Sequence, residues 1–211
     1  MTTNGAVPES PAVVRRLRSA SSESLVALVE KFEDLQTVLR CCERLVGELA
    51  PESGTPDPVA VEAVWTMALL SYARCFNAGE AGEALTEEDL TTAVPNGEVV
   101  EWHHVLTQLR DHHADPLVNP RERFSVGVTQ DPDGAPTGVA ITSVRQPLVD
   151  DLTVRQTGAI AYALSGLVDK RIELRQKEVF HDLESWSKAD LDRLDPLDVA
   201  APQVDGDPAN S

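Results

Sequence analysis

Four of the five histidines in this 211-residue sequence, His103, His104, His112 and His113, fall within residues 103–113, beside Arg110 and Asp111. Imidazoles change charge near neutral pH, and a guanidinium grips a phosphate or carboxylate with paired donors, so the first chemistry to consider is proton transfer at a held phosphate. Geometry argues against a metal site within the stretch, which would need carboxylates from elsewhere. On a helix, His104 and His112 stand ~12 Å apart along the axis, too far for two ligands at ~2 Å each. Adjacent histidines diverge by about 100°, and the H-E-x-x-H spacing is absent. The sequence therefore calls for no metal and no cofactor. What survives is a grouping by face: His103 and Arg110 are two turns apart and point the same way, Leu106 lies between them, and His113 sits about 60° round. The structural alternative is that His113 continues the apolar seam as a hydrogen-bonded core histidine while Arg110 pairs with a carboxylate.

These residues require a helix to hold them. Val99, Trp102, Leu106, Leu109 and His113 recur at spacings of three and four between Pro95-Asn96-Gly97 and Pro116, which predicts a helix over about 99–114. Upstream, Leu25, Leu28, Phe32, Leu35, Leu39, Cys42, Val46 and Leu49 form an unbroken helical seam, widened by Val26, Val29, Val38 and Leu45, with Ser21 or Ser22 as its cap. A second helix is expected over about 59–78, stopped by Gly79 and Gly82, and a short one after Thr86, where Thr-x-x-Asp is a capping pattern. Strict alternation at Phe124, Val126, Val128 and again at Val139, Ile141, around Asp131-Pro132-Asp133-Gly134, predicts a β-hairpin. A last long helix starts near Asp151 or Thr153 and extends toward Leu194. Within it, Lys170–Glu178 reads as a solvent-facing surface of intrahelical ion pairs. The fold class is mainly α: a four-helix bundle with a β-hairpin inserted before the last long helix. Residues 1–20 form a flexible N-terminal segment, 21–194 the bundle with its hairpin at about 123–144, and 195–211 a disordered acidic tail.

Composition narrows the function classes. Thirty-five acidic against eighteen basic side chains give a net charge of -17, which argues against duplex DNA as a partner. Three Trp, two Tyr and four Phe leave little material for stacking successive bases of a single strand. No apolar run is long enough to span a bilayer and the N-terminus has no secretory pattern, so no membrane contact and a cytoplasmic location are expected. Cys41, Cys42 and Cys75 lack metal or disulfide spacing and read as buried thiols. Arg15, Arg16 and Arg18 read as a solvated basic face, and Asp131 with Asp133 as a turn. No glycine-rich phosphate cradle or nucleophile elbow occurs.

The run Trp102-His103-His104-Val105-Leu106-Thr107-Gln108-Leu109-Arg110-Asp111-His112-His113, followed by Asn119-Pro120-Arg121-Glu122, resembles the Arg/His helix of HEPN-fold proteins, most closely the abortive-infection-like branch. Tyr72-Ala73-Arg74-Cys75-Phe76 resembles the helix preceding it in that branch, and the resemblance covers about Ser22 to Trp186. It implies a metal-independent RNase or RNA-binding bundle, often a homodimer, in which Arg stabilises the phosphorane and His transfers protons as the 2′-hydroxyl attacks. The family's His lies four to six residues after its Arg, where this chain has Ala114, Asp115 and Pro116. The expectation is thus a catalytically degenerate HEPN-like interaction or regulatory module, homodimeric and with a further protein partner, in a toxin or phage-defence setting. The alternative is a metal-independent ribonuclease using Arg110 with His113 or His103.

Overall fold

In the computed structural model, the described residues are 13–79, 82–95 and 97–197. Their elements run β1 (Val14–Arg15), α1 (Ala20–Leu49), α2 (Pro58–Cys75), α3 (Glu87–Ala93), α4 (Val99–Ala114), β2 (Glu122–Gln130), β3 (Pro136–Arg145), α5 (Asp151–Leu183), α6 (Lys188–Asp192) and β4 (Pro196–Leu197). The protein is mainly helical, with two small antiparallel sheets, β1–β4 and β2–β3.

The α1 seam does what its periodicity dictates. Leu28, Leu35, Val38, Cys42 and Leu45 are buried, and α1 packs along both α2 and α5. Val26 and Val29 are exposed instead, so the widened stripe closes only over the helix's second half. The cap of α1 is Ser19, not Ser21 or Ser22. Its hydroxyl accepts from the Ser22 N–H at 3.2 Å while Ser22 Oγ accepts from the Ser19 N–H at 2.8 Å, a reciprocal box that uses Ser22 as its third residue.

From the other side, α2 presents Trp65, Ala68, Leu69 and Tyr72 to the core. It stops at Cys75, earlier than predicted: the Phe76 and Asn77 N–H groups turn back to the Ala73 and Arg74 carbonyls at 3.2 Å each in a tightened last turn, and Lys31 Nζ donates to the Arg74 and Asn77 carbonyls at 2.8 Å each. Gly79 and Gly82, at φ +57° and +74°, turn the connection beyond it. Thr86 caps α3 as its sequence pattern predicts. Helix α4 leans on α2 and α3, and Val154, Ala161, Leu164 and Val168 of α5 complete the core.

The ends differ from expectation at two places. Val14–Arg15, read as part of a flexible segment, pairs with Pro196–Leu197, and Arg15 Nη1 donates to the Leu194 carbonyl at 2.9 Å. The remainder of the two terminal segments, residues 1–12 and 198–211, lies outside the described residues. The last helix ends at Leu183 rather than near Leu194, because Ser187 caps a new short helix, α6, through a box with Asp190. All three thiols are free and buried, and burial pushes Cys42 and Cys75 up to about 12.

Candidate functional site

The polar end and the middle of α4 go to different places. Leu106 anchors the helix in the core, with Trp102 and Leu109 packed beside it. One turn before Leu106, His103 is set into an aromatic corner made by α2. Its ring lies 4.2 Å from that of Phe76 and 5.7 Å from that of Tyr72, centroid to centroid, and its Nδ1 is 3.0 Å from Tyr72 Oη. Burial, with the neighbouring His104, holds His103 below the ordinary histidine range, and burial pushes the Tyr72 phenol up so that it stays protonated. Those two biases favour one arrangement, in which the phenol donates to Nδ1 and the imidazole keeps its own proton on Nε2. His103 is thus a satisfied interhelical histidine. His104, outside the corner, meets Glu87 at 2.8 Å.

Arg110 lies on the same flank as His103, ~10 Å further along the unbroken helix. Its Nε is 3.0 Å from Asp111 Oδ1. His113, one turn on, lines a cleft of about 550 Å³ between the start of α2, the end of α4 and the base of the hairpin. Arg110 is not part of that lining. The cleft has an apolar wall of Val61, Trp65 and Leu109, and a rim in which Arg121 Nε lies 2.8 Å from the Glu62 carboxylate and Arg145 Nε donates to Glu122 Oε1 at 3.2 Å. Burial holds His113 below its ordinary range against the opposing pull of Glu62, with His112 and Arg121 adding to the depression. The three therefore stand in different surroundings, His103 in the aromatic corner, Arg110 beside Asp111 and His113 in a cleft whose lining leaves Arg110 out, and no hydrogen bond or ion pair joins any two of them. What the structure does bring together is a neutral-biased imidazole and the Glu62–Arg121 pair, which can hold a polar group but offers no guanidinium free of a carboxylate.

Sequence reasoning singled out Asn119-Pro120-Arg121-Glu122 but not its partners. Asn119 Oδ1 accepts from the Arg121 N–H at 2.9 Å and the Glu122 N–H at 3.3 Å, a side-chain turn that aims Arg121 back at Glu62 on α2. The asparagine at a turn was the available signal. The destination, 59 residues away, carries none. Among the described residues no group of three or more His, Cys, Asp or Glu side chains is placed to hold a metal ion, and no helix is long and apolar enough to cross a membrane.

Both depressed histidines make stability depend on pH. An unfolded imidazole binds its proton near pH 6.5, whereas the folded ones wait for a lower pH. The unfolded state therefore binds more protons as pH falls through about 6.5, and stability declines from there to the folded-state value and is flat below it. Melting temperature measured between pH 7.5 and 5 is expected to fall, and His103→Gln with His113→Gln to flatten that fall. An unchanged slope in the double variant would refute the assignment.

Fold and cleft together define a mainly helical protein with a polar cleft at one helix end and a hairpin beside it. Comparisons with protein-family models, with curated proteins and with solved structures find no match to this chain.

Proposed function

We propose that the chain is a HEPN-like interaction module, working in the cytoplasm, whose long helices α1, α2, α4 and α5 serve as a four-helix bundle and whose hairpin makes protein contacts. The observation that carries this reading is the hairpin's uncovered apolar face. Phe124, Val126, Val128, Val139 and Ile141 are all exposed, and neither strand packs broadly on a helix. A surface helix or loop that served only as a connector would not keep five large apolar side chains in water. His103 bonded to Tyr72, and Arg110 outside the lining of the cleft that His113 enters, support the degenerate side of the reading. In-line attack on a phosphate needs a donor and a proton carrier within a few ångströms of one another.

The test is incubation of purified protein with mixed RNAs in the presence of chelator, comparing wild type with Arg110→Ala and His113→Ala. No cleavage above background is expected from any of the three. Cleavage by wild type that either substitution abolishes would replace the module reading with the ribonuclease one, in which Arg110 acts with His113 or His103.

A further inference from the structure

The hairpin is an amphipathic ribbon whose apolar side chains are exposed. Its register pairs Val126 with Ile141 and Val128 with Val139, so these four side chains and Phe124 share one face, while Ser125, Gly127, Thr129, Ala140 and Thr142 share the other. Val126 and Ile141 are each 73% exposed and Phe124 is 56% exposed. A lone two-stranded ribbon is marginal in water and gains its stability by packing its apolar face on something. Among the described residues no helix packs broadly on that face.

We infer that its occupant is a second copy of this chain, the two hairpins lying face to face and antiparallel about a two-fold axis. The inference rests on the module reading and names its partner. Charge is the first argument. A chain of net charge -17 repels its own copies over most of its surface. The strands carry no charged side chain from Phe124 to Gln130 or from Pro136 to Val144, so this face is where two such copies approach without like charges meeting. The polarity of the ribbon then sets the direction. Its tip is acidic, with Asp133 exposed in the turn, and its base carries the Arg145–Glu122 pair on the apolar face, in which Arg145 is the outward member, 83% exposed against 27% for Glu122. Antiparallel seating lays each tip over the other copy's base, ~30 Å away along a strand of this length, and matches acid to guanidinium twice. Parallel seating would put acid on acid. Area is the second argument. The five side chains offer roughly 600 Å² per copy, so their mutual burial hides about 1,200 Å², the lower edge of a specific interface. The association is accordingly expected to be reversible and concentration-dependent.

Light-scattering mass of the full chain over a concentration series is expected to show monomer converting to dimer. Val126→Asp with Ile141→Asp, placed on exposed sites so that helical circular dichroism stays unchanged, is expected to weaken dimerisation by about 100-fold, through charges buried against an apolar face. Asp133→Arg and Arg145→Asp are each expected to weaken self-association about tenfold, the effect of two symmetric surface contacts. Mixing those two variants restores dimers, because both tip-to-base contacts are then opposite in sign. A wild type monomeric at every concentration would overturn the inference. So would a dimer indifferent to Val126→Asp with Ile141→Asp, or single variants that mixing does not rescue. Each of these outcomes leaves the RNA result untouched, so failure of this pairing is distinguishable from failure of the module reading.

Discussion

Tyr72→Ala is expected to cost about 4 kcal/mol, in the range for removing a fully buried aromatic ring, and to return His103 toward an ordinary histidine titration. Tyr72 is 1% exposed and stands where α2 meets α4, with Phe76 5.0 Å from its ring centroid on one side and His103 on the other. Removing the ring opens space that α4 cannot fill without moving Leu106. Water then reaches His103, and the burial that holds its proton affinity down is relieved. For a chain of this size the melting temperature should drop by roughly 10 °C. Tyr72→Phe keeps the ring and removes only the hydroxyl, so it should cost about 1 kcal/mol and leave the protein folded even if the alanine variant is too unstable to study. Proton NMR of His103 across pH reads the difference. A titration that stays depressed in Tyr72→Ala while the protein is folded would show that the aromatic corner does not control it.

The phase of α4 was legible because Val99, Trp102, Leu106 and Leu109 repeat at helical spacing between two prolines, and the observed bounds, Val99–Ala114, match that reading. Thr86-x-x-Asp89 and the hairpin alternation were legible for the same reason: each is a local rule with a local partner. The α1 cap was not. Ser19, Ser21 and Ser22 are all eligible, and only the extended backbone at Ser19, with Ser22 three residues on, decides among them. The two-residue β1–β4 pair has no pattern to read, since its partners are separated by nearly the whole chain. At the site, sequence placed His103, Arg110 and His113 correctly on the helix but could not supply their neighbours. Asp111 adjoins Arg110 in the sequence, but Tyr72, which bonds His103, and Glu62, which pulls against the burial that holds His113 down, both come from α2. The charged stretch Lys170–Glu178 makes the same point. Read as a self-paired surface, it does contain the Arg175–Glu178 pair at 2.8 Å, yet Arg171 reaches Asp89 and Arg175 reaches Glu83, both outside α5.

That reach has an energetic consequence. Asp89→Ala is expected to cost about 3 kcal/mol, toward the lower end for breaking a buried ion pair, because Arg171 retains 37% side-chain exposure and can rehydrate whereas Asp89 is only 10% exposed. Its carboxylate accepts from both Arg171 terminal nitrogens and from the Thr86 N–H at 3.0 Å, so one side chain both caps α3 and ties it to α5. A helix of α3's length does not persist alone in water. With the tie cut, α3 is expected to detach ahead of the rest and expose Leu85 and Leu90, which are otherwise buried. Hydrogen exchange should therefore accelerate over residues 85–94 well before α1 loses protection. Arg171→Met with Asp89→Ala then separates the two roles. If the pair is coupled as the geometry requires, the double variant costs less than the two single variants added together, by roughly 1.5–3 kcal/mol. The residue of its cost is the lost cap. Strict additivity, or uniform loss of exchange protection across α1 and α3, would mean that α3 is held by Leu90 alone and that the ion pair only decorates its edge.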